Sequence, residues 1–474
     1  MIFLHLCESE NPIKMALIKS ISGIRGTIGG KPGESLSPVD IVKFVASFGI
    51  WIKSTHKKTG LKVIVGRDAR KSGSMVNSLV ITTLRSLGIN VIDLGMATTP
   101  TVELAVTGTN ADGGIIITAS HNPAEWNALK LLNEKGEFLS GPDGMKVLEI
   151  AAGEDFDFVS NDFAGSLAYD ETWGQKHIDQ ILTLKLVDIK AIKAAGFTVA
   201  IDCINSVGGI ILPQLLNALG VVKVIELNTN PDGNFAHNPE PLPENLKAIS
   251  EFVVKGKADI GFVVDPDVDR LAIICEDGVM FGEEYTLVSV SDYVLKNTPG
   301  NTVSNLSSTK ALKDVTINYA CKHYSSAVGE VNVVDEMKKR DAVIGGEGNG
   351  GVIYPELHYG RDALVGIALF LSHLAKSGIK CSALRQIYPQ YVIAKKKLTL
   401  EPDTEFSKII QDVKDHFAGH SFDERDGLWI EHKNGWVQIR KSNTEPIMRI
   451  YAEGRTSQEA NTLANTVIGI VKKT

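Results

Sequence analysis

Residues 113–123 read GGIIITASHNP, an uninterrupted apolar run that ends in a polar turn. Such a run between turn residues is typical of a buried strand. Similar short runs at 63–66 and 91–95 precede it, with a stretch of helical character at 75–87 between them. Continuous apolar strands that alternate with helices predict a parallel sheet covered on both faces.

The same alternation restarts twice further along the chain, at Phe197–Asp202 and after Arg270. Beyond about residue 384 the pattern changes, and strand-like segments surround an Asn434-Gly435 pair, which is a strong hairpin signal. The sequence therefore predicts an α/β protein with three similar mixed α/β domains and a C-terminal α+β domain. We place these domains at residues 16–165, 166–269, 270–383 and 384–474.

Length and charge set limits on the class of protein. The 474 residues correspond to about three domains of ~150 residues each, and four smaller domains fit as well. The net charge is −7. We expect no nucleic-acid partner, because non-specific nucleic-acid binding needs a basic face. We also expect no membrane span, since no apolar run reaches the ~18–20 residues that a span requires.

The cysteines and the N-terminus point to a cytoplasmic protein. The five cysteines are scattered and form no Cys-x-x-Cys pair, so a disulfide scaffold or a zinc site is not expected. This cysteine usage is typical of proteins in the reducing cytoplasm. The short apolar start of the chain lacks a basic region, so a secretory signal is not expected. Periodic structure begins only near Met15, and we interpret residues 1–14 as an extension from an upstream start codon.

The first candidate site is the polar turn Thr118–Pro123. It lies at the carboxyl end of a predicted strand, where open α/β sheets place their ligands. Ser120 would be exposed there, and His121 or Asn122 could polarise it or a bound phosphate. An ordinary Ser and Asn-Pro turn explains these residues equally well.

The second candidate site has three carboxylates at alternate positions, in Asp265, Asp267 and Asp269. Apolar strands flank this turn on both sides, so a solvated acidic turn is the weaker interpretation. Oxygen ligands that converge from alternate positions of a loop suit Mg²⁺ or Ca²⁺. The sequence therefore predicts a divalent-metal site.

Two further loops complete the set. Residues 345–351 read GGEGNGG, in which Glu347 and Asn349 are the side chains available to read sugar hydroxyls, although a flexible loop is the alternative. Residues 440–446 read RKSNTEP, a composition that suits a phosphate dianion, although a charged hairpin turn is the alternative. Single arginines in turns are interpreted as formers of structural ion pairs, and they occur at Arg25, in the segment Gly66-Arg67-Asp68-Ala69-Arg70 and at Arg361.

Together the four loops closely resemble those of the α-D-phosphohexomutase family, in the same order along nearly the whole chain. The resemblance implies four domains around a central cleft, a phosphoryl group on Ser120, and Mg²⁺ bound by the phosphoserine and the three aspartates. It also implies sugar binding by Glu347 and Asn349. It assigns the grip on the non-reacting phosphate to four residues: Arg440, Ser442, Asn443 and Thr444.

The sequence does not assign the base that would remove the proton of the sugar hydroxyl. The family often has a His after the glycine of the sugar loop, where this chain has Gly351. The family also commonly has Lys or Arg shortly after a Val-Gly pair, and the segment 328–333 of this chain, VGEVNV, lacks one. His121 and Lys130 remain candidates. The three aspartates carry three negative charges, and phosphoserine would add roughly two more. Basic side chains are therefore expected near the acidic turn, and the candidates are Arg25, His121, Lys130 and Arg270.

The resemblance is strongest to archaeal-type phosphoglucosamine mutases, so we expect glucosamine phosphate as substrate, with glucose and mannose phosphates as the alternative. Hexose 1,6-bisphosphate is the expected activator. A phosphoserine-dependent sugar phosphatase and a non-catalytic sugar-phosphate sensor are more remote alternatives. The partner is a small sugar phosphate, and the chain is expected to be a monomer or a homodimer.

Overall fold

Four sheets organise the chain, one for each predicted domain. The computed structural model describes residues 15–20, 23–400, 405–441 and 447–473. Three sheets mix parallel and antiparallel strands, and the fourth is antiparallel. The predicted fold class is therefore confirmed.

The first sheet has seven strands in the order β1-β2-β6-β5-β3-β4-β7. Its strands are β1 (Leu17–Ser20), β2 (Gly23–Thr27), β3 (Lys62–Arg67), β4 (Asn90–Met96), β5 (Gly113–Ile117), β6 (Trp126–Leu132) and β7 (Leu167–Tyr169). Its helices are α1 (Pro38–His56), α2 (Gly73–Ser86), α3 (Thr99–Gly108) and α4 (Gly141–Gly153). Val63 and Val65 pack with α1, α2 and α4, whereas Ile64 packs with α3, so alternate residues of β3 serve cores on opposite faces.

The second sheet has four strands in the order β11-β10-β8-β9. Helices α5 (Trp173–Thr183) and α6 (Ile189–Ala195) lead into it. They are followed by β8 (Thr198–Asp202), α7 (Gly208–Ala218), β9 (Lys223–Leu227), α8 (Lys247–Gly256), β10 (Ile260–Val264) and β11 (Leu271–Cys275).

The third sheet also has four strands, in the order β13-β12-β14-β15. Its elements are α9 (Glu283–Asn297), β12 (Asn301–Asn305), α10 (Ala311–Asn318), β13 (His323–Ser326), α11 (Glu330–Arg340), β14 (Ala342–Glu347), β15 (Gly351–Ile353), α12 (Ala363–Ser377) and α13 (Cys381–Gln386). Residues Ala363 to Leu374 of α12 are all buried, as expected for a helix that is apolar all round. Phe370 of α12 packs edge-on against Phe262 and Phe281, so the second and third domains share one core.

The fourth sheet has five strands in the order β16-β20-β19-β18-β17. Its elements are β16 (Val392–Thr399), α14 (Phe406–His416), β17 (Phe422–Asp423), β18 (Leu428–His432), β19 (Gly435–Lys441), β20 (Ile447–Gly454) and α15 (Ser457–Val471). Strands β18 and β19 form the hairpin that the Asn434-Gly435 pair predicts.

Two of the predicted domain boundaries separate an edge strand from its sheet. Strand β7 lies beyond residue 165 but pairs with β4 in the first sheet. Strand β11 lies beyond residue 269 but pairs antiparallel with β10 in the second sheet. The physical reason is that the acidic turn after β10 closes a hairpin, whereas the sequence pattern favoured a linker there. No helix in the described part of the chain is long and apolar enough to cross a membrane.

Candidate active site

Three loops that follow buried strands meet where the first three domains face one another. Strand β5 leads into Thr118–Pro123, β10 leads into Asp265–Arg270, and β14 leads into the glycine-rich loop that begins at Glu347. Ligands of open α/β sheets bind at such carboxyl ends. The structure thus brings together three of the four loops that the sequence singles out.

The serine loop is held in an unusual conformation by one buried arginine. Ser120 has a φ of 47°, in the left-handed region that residues other than glycine rarely adopt. Arg70 donates to the carbonyl oxygens of Ser120 at 2.6 Å and Asn122 at 2.7 Å. Its Nε donates to Asp68 at 3.0 Å, and Thr118 Oγ1 also donates to that carboxylate, at 2.6 Å. Arg70 therefore forms a structural ion pair that stabilises a strained turn.

The Ser120 hydroxyl lies against the acidic loop. Its Oγ donates to Asp265 Oδ2 at 2.7 Å, and His121 Nδ1 lies 3.5 Å from the same Oγ. The other oxygen of Asp265 accepts from the backbone amides of Asp269 and Arg270, at 3.1 Å each. These bonds close the acidic turn and fix the carboxylate that contacts the serine.

The three aspartates form a compact cluster of oxygen ligands. Asp265, Asp267 and Asp269 are fully buried, and one ligand atom from each lies within 4.8 Å of the others. Within the described residues, Asp267 Oδ1 and Asp269 Oδ1 have no hydrogen-bond partner, whereas buried polar atoms usually have one. Converging oxygens without donors suit a hard divalent cation such as Mg²⁺. The residues therefore fit the predicted metal.

Two cations from other domains neutralise the aspartates. Lys130 Nζ on β6 donates to Asp267 Oδ2 at 2.6 Å and to Asp269 Oδ2 at 3.2 Å. Arg361, which precedes α12, donates to Asp269 Oδ2 at 2.8 Å. Thr99 Oγ1 at the start of α3 donates to Asp267 Oδ2 at 2.6 Å. The first and third domains thus contribute donors to a loop of the second.

Burial and charge act in opposite directions on these groups. Burial, reinforced by the neighbouring Asp269 and Asp267, raises the pKa of Asp265 well above its ordinary value. Burial alone would also raise the pKa of Asp267, but its ion pair with Lys130 outweighs burial and lowers that pKa. Burial would lower the pKa of Lys130, yet the two carboxylates raise it, so Lys130 is an ammonium ion.

The glycine-rich loop presents a carboxylate that is fixed on both sides. Glu347 Oε1 accepts from Asn305 Nδ2 at 2.8 Å and from the Gly329 amide at 3.1 Å, and Oε2 accepts from Arg361 at 2.9 Å. Each carboxylate oxygen has further lone pairs, so Glu347 can still accept bonds from hydroxyl groups. The side chain of Asn349 accepts from an amide in its own loop.

Sequence reasoning missed the central position of Arg361. It was interpreted as a lone structural arginine, but it joins Asp269 of the acidic loop to Glu347 of the glycine-rich loop. Its Nε also donates to Glu330 at 3.0 Å. The Gly-Arg-Asp sequence at 360–362, which repeats the one at 66–68, was the available signal.

Positive charge accumulates beside Ser120. Burial and then the neighbouring Arg270 and Arg361 lower the pKa of Arg25. Burial and then Arg270 lower the pKa of His121 to about 2, so its imidazole is neutral. Arg270 Nε has no hydrogen-bond partner in the described part of the chain and lies 3.9 Å from Asp269 Oδ1. Such a cluster of cations provides a site for an anion.

The predicted phosphate grip is only partly described. Arg440 Nε donates to Asp426 Oδ1 at 2.8 Å, and Asp426 Oδ2 accepts from the Val328 amide at 2.9 Å. Asp426 thus connects Arg440 to the third domain. The other predicted phosphate ligands, Ser442, Asn443 and Thr444, lie outside the described residues.

Comparison with known proteins agrees with this architecture. Three α/β/α domains of the phosphoglucomutase/phosphomannomutase family match residues 17–158, 175–278 and 282–391, and its C-terminal domain matches residues 395–470. A phosphoglucomutase/phosphomannomutase of Thermococcus kodakarensis is 37% identical over 441 residues, which cover 92% of this chain and 95% of that protein. The chain belongs to the phosphoglucomutase/phosphomannomutase family. It is therefore an enzyme of the phosphohexomutase class, and the predicted resemblance is confirmed.

Other relatives of this phosphohexomutase have different substrate names. A phosphoglucosamine/phosphogalactosamine mutase of Sulfurisphaera tokodaii is 32% identical over 472 residues, which cover 97% of this chain and all (100%) of that protein. The crystal structure of a phosphoglucomutase/phosphomannomutase family protein from Burkholderia thailandensis has a TM-score of 0.82 at 26% identity. The match covers 95% of this chain and 96% of that structure.

The metal site generates the first prediction. If the aspartates bind Mg²⁺, the cation at 100 times its Kd stabilises the folded protein by about 2.7 kcal/mol. Thermal unfolding with and without MgCl₂ at constant ionic strength measures this shift. Asp267→Asn should abolish the Mg²⁺-dependent shift in Tm, whereas Asp277→Asn, at an exposed turn, should retain it. An equal shift in both variants would contradict a metal site in the acidic loop.

Proposed function

We propose that this phosphohexomutase interconverts hexose 6-phosphate and hexose 1-phosphate through a phosphoserine at Ser120 and a hexose 1,6-bisphosphate intermediate. One observation carries the proposal. The Ser120 hydroxyl lies 2.7 Å from Asp265 in a buried three-aspartate cluster, at the end of a turn stabilised by Arg70. The serine lies beside three aspartates that could bind a metal ion and near several basic side chains. Such a position suits phosphoryl transfer, which depends on positioning and charge neutralisation.

Charge balance supports a phosphoryl group at this position. Phosphoserine brings roughly two negative charges, in addition to those of the aspartates. A divalent cation bound by the three aspartates would supply positive charge next to the phosphoryl oxygens. Arg25, Arg270 and Lys130 supply the remaining charge, and the first two have no carboxylate of their own within 3.5 Å among the described residues.

The first transfer can be written for the residues present. A free sugar hydroxyl oxygen attacks the phosphorus of phosphoserine, the new P–O bond forms, and the bond to Ser120 Oγ breaks. The proton of the sugar hydroxyl passes to the neutral imidazole of His121, whose Nδ1 lies 3.5 Å from Ser120 Oγ, and from there to Ser120 Oγ as its bond to phosphorus breaks. In the structure the Ser120 hydroxyl donates its hydrogen to Asp265 Oδ2, which holds the serine oxygen against the acidic loop.

Of the two proton acceptors considered from the sequence, His121 has the unprotonated nitrogen. Lys130 is an ammonium ion paired with two aspartates, so it acts through its charge. His121 Nδ1 lies 3.5 Å from Ser120 Oγ. A phosphoryl group on Ser120 would add negative charge beside His121 and raise the pKa of its imidazole toward the useful range.

The bisphosphate must then turn over so that Ser120 takes back the other phosphoryl group. Glu347 and Asn349 would hold the sugar hydroxyls in either orientation. Arg440, Ser442, Asn443 and Thr444 would hold whichever phosphate is not reacting. Closure of the cleft would exclude water and so favour transfer over hydrolysis. A second phosphate grip therefore favours a mutase over a phosphoserine-dependent phosphatase, and an intact Ser120 and acidic loop disfavour a non-catalytic sensor.

The proposed substrate is glucosamine phosphate. The glycine-rich loop with Glu347 and Asn349 supports this preference, together with relatives such as the Sulfurisphaera tokodaii mutase, which is named for amino sugars. The relative from Thermococcus kodakarensis, at 37% identity, is named for glucose and mannose phosphates. A phosphoglucomutase/phosphomannomutase is therefore the second candidate.

We also propose the cofactor, the activator, the cellular location and the assembly of the enzyme. Mg²⁺ is the proposed cofactor, and hexose 1,6-bisphosphate the activator that loads Ser120. Four cysteines in the described chain are free thiols, which supports the cytoplasm as its location. We propose a small-molecule sugar phosphate as the only partner class, with neither nucleic acid nor membrane, and a monomer or homodimer as the assembly.

Removal of the serine hydroxyl tests the proposed mechanism. Ser120→Ala should abolish turnover of hexose phosphates, because no oxygen remains to carry the phosphoryl group, while circular dichroism and Tm stay close to those of the wild type. Ser78→Ala, on the exposed face of α2, should keep full activity as the matched control. Full activity of Ser120→Ala would rule out the phosphoserine.

A panel of substrates tests the choice of sugar. With a catalytic amount of bisphosphate, kcat/KM should be higher for glucosamine 1-phosphate than for glucose 1-phosphate or mannose 1-phosphate. Inorganic phosphate released in the same assay should be a small fraction of product. A higher kcat/KM for glucose or mannose would favour the second candidate, and stoichiometric phosphate would favour the phosphatase.

A further inference from the structure

Behind the catalytic loops lies a buried group of titratable side chains that the proposed mechanism does not use. We call it the histidine cluster, and it consists of Glu103, His177, His358 and Asp362. Glu103 lies on α3 of the first domain, His177 lies on α5, and the other two lie just before α12 in the third domain. Glu103, His177 and Asp362 are at most 2% exposed.

Asp362 is the centre of the histidine cluster. Its Oδ2 lies 2.9 Å from His177 Nε2 and 3.3 Å from His358 Nε2. His177 Nδ1 lies 3.0 Å from Thr101 Oγ1 on α3. Asp362 Oδ1 accepts from the Leu364 amide at 2.7 Å and caps the start of α12. One carboxylate thus connects α5 to the first turn of α12.

His358 connects this centre to the first domain. Its Nδ1 lies 3.3 Å from Glu103 Oε2, so its imidazole lies between two carboxylates. Burial alone would lower the pKa of His358, but its hydrogen bonds to Asp362 and Glu103 raise that pKa to about 10. His358 is therefore an imidazolium ion that lies between the Asp362 carboxylate and the carboxyl group of Glu103. Burial raises the pKa of Glu103 to about 8.

The backbone between His358 and Asp362 carries Arg361, the residue that joins two catalytic loops. Gly360 packs so closely on the Glu103 carboxylate that a Cβ there would lie 1.9 Å from Glu103 Oε2. The next residue, Arg361, extends to Asp269 at 2.8 Å and to Glu347 at 2.9 Å. The turn is thus bounded by the histidine cluster on one side and by the catalytic loops on the other.

Helix α3 contacts both the acidic loop and the histidine cluster. Thr99 at its start donates to Asp267 of the acidic loop, and its backbone amide donates to the Asp267 carbonyl oxygen at 2.9 Å. One helical turn further along, Glu103 contacts His358. Helix α3, which contacts the acidic loop through Thr99, therefore also contacts the turn that carries Arg361 through Glu103.

We propose that His358 is a positioning residue: held between Glu103 and Asp362, it fixes the Gly360–Asp362 turn and directs Arg361 onto Asp269 and Glu347. His358 does not touch the reacting atoms and acts through Arg361. The kinetic part of this inference rests on the proposed mutase function, because sugar binding by Glu347 is part of that proposal.

The test replaces His358 with alanine and determines the position of the Arg361 guanidinium. In a crystal structure of His358→Ala, the Arg361 guanidinium should leave at least one of its two carboxylate partners. The Kd for glucosamine 6-phosphate should rise and kcat/KM should fall, each by about 10- to 100-fold, as is common when a residue that orients a ligand-binding group is removed. Because His358 acts through Arg361, the double variant with Arg361→Gln should be no worse than Arg361→Gln alone.

His373→Ala is the matched control. His373 is another buried histidine on α12, and its Nε2 contacts Tyr388 at 2.9 Å and Asp292 at 3.5 Å, away from the catalytic loops. It should lower Tm while leaving sugar binding and kcat/KM unchanged. If His358→Ala does not fold, Glu103→Leu removes both oxygens that face His358 and should show the same displacement of Arg361 with weaker sugar binding.

Two results would overturn the role of His358. The first is a crystal structure of either variant in which Arg361 keeps both carboxylate contacts, together with wild-type sugar binding. The second is additive losses in the double variant. If the wild-type protein neither binds nor converts hexose phosphates, the proposed function fails, and the crystallographic position of Arg361 in the variant still decides the positioning role.

Discussion

Three buried carboxylates within 4.8 Å of one another are the constraint on which this active site depends. Their mutual repulsion grows as water is excluded, because the effective dielectric constant falls. The protein offsets it with Lys130 from the first domain and Arg361 from the third. Two aspartate oxygens remain without a donor among the described residues and fit a divalent cation. The ion pairs of these aspartates therefore also connect three domains.

This arrangement explains why a serine with left-handed backbone lies at the centre. The turn that carries Ser120 is held by Arg70 through backbone carbonyl oxygens, and its hydroxyl donates to Asp265. Arg25 and Arg270 add positive charge near His121, the residue next to the serine. Such preorganised charge is the main resource for phosphoryl transfer. Arg361 extends the arrangement to Glu347, and His358 stabilises the turn behind it.

The sequence predicted those parts of the molecule that local pattern determines. The apolar run at 113–117 and the acidic turn at 265–269 identify a strand and its loop within a dozen residues. Arg361 could not be assigned in this way, because its partner Asp269 is 92 positions away and Glu330 is 31 positions away. The boundary at 269/270 was misplaced by one strand for a related reason, since pairing across a turn is a tertiary contact. The histidine cluster likewise joins residues from three separate stretches of sequence.

Intact-mass spectrometry with peptide mapping shows whether Ser120 carries a phosphoryl group, as proposed for the reaction. The protein is measured before and after incubation with glucosamine 1,6-bisphosphate or glucose 1,6-bisphosphate and Mg²⁺. We expect a mass increase of one phosphoryl group, located on the peptide that contains Ser120, and its loss on addition of hexose monophosphate. No increase after incubation in a protein that still interconverts hexose phosphates, or a phosphoryl group located on another residue, would contradict it.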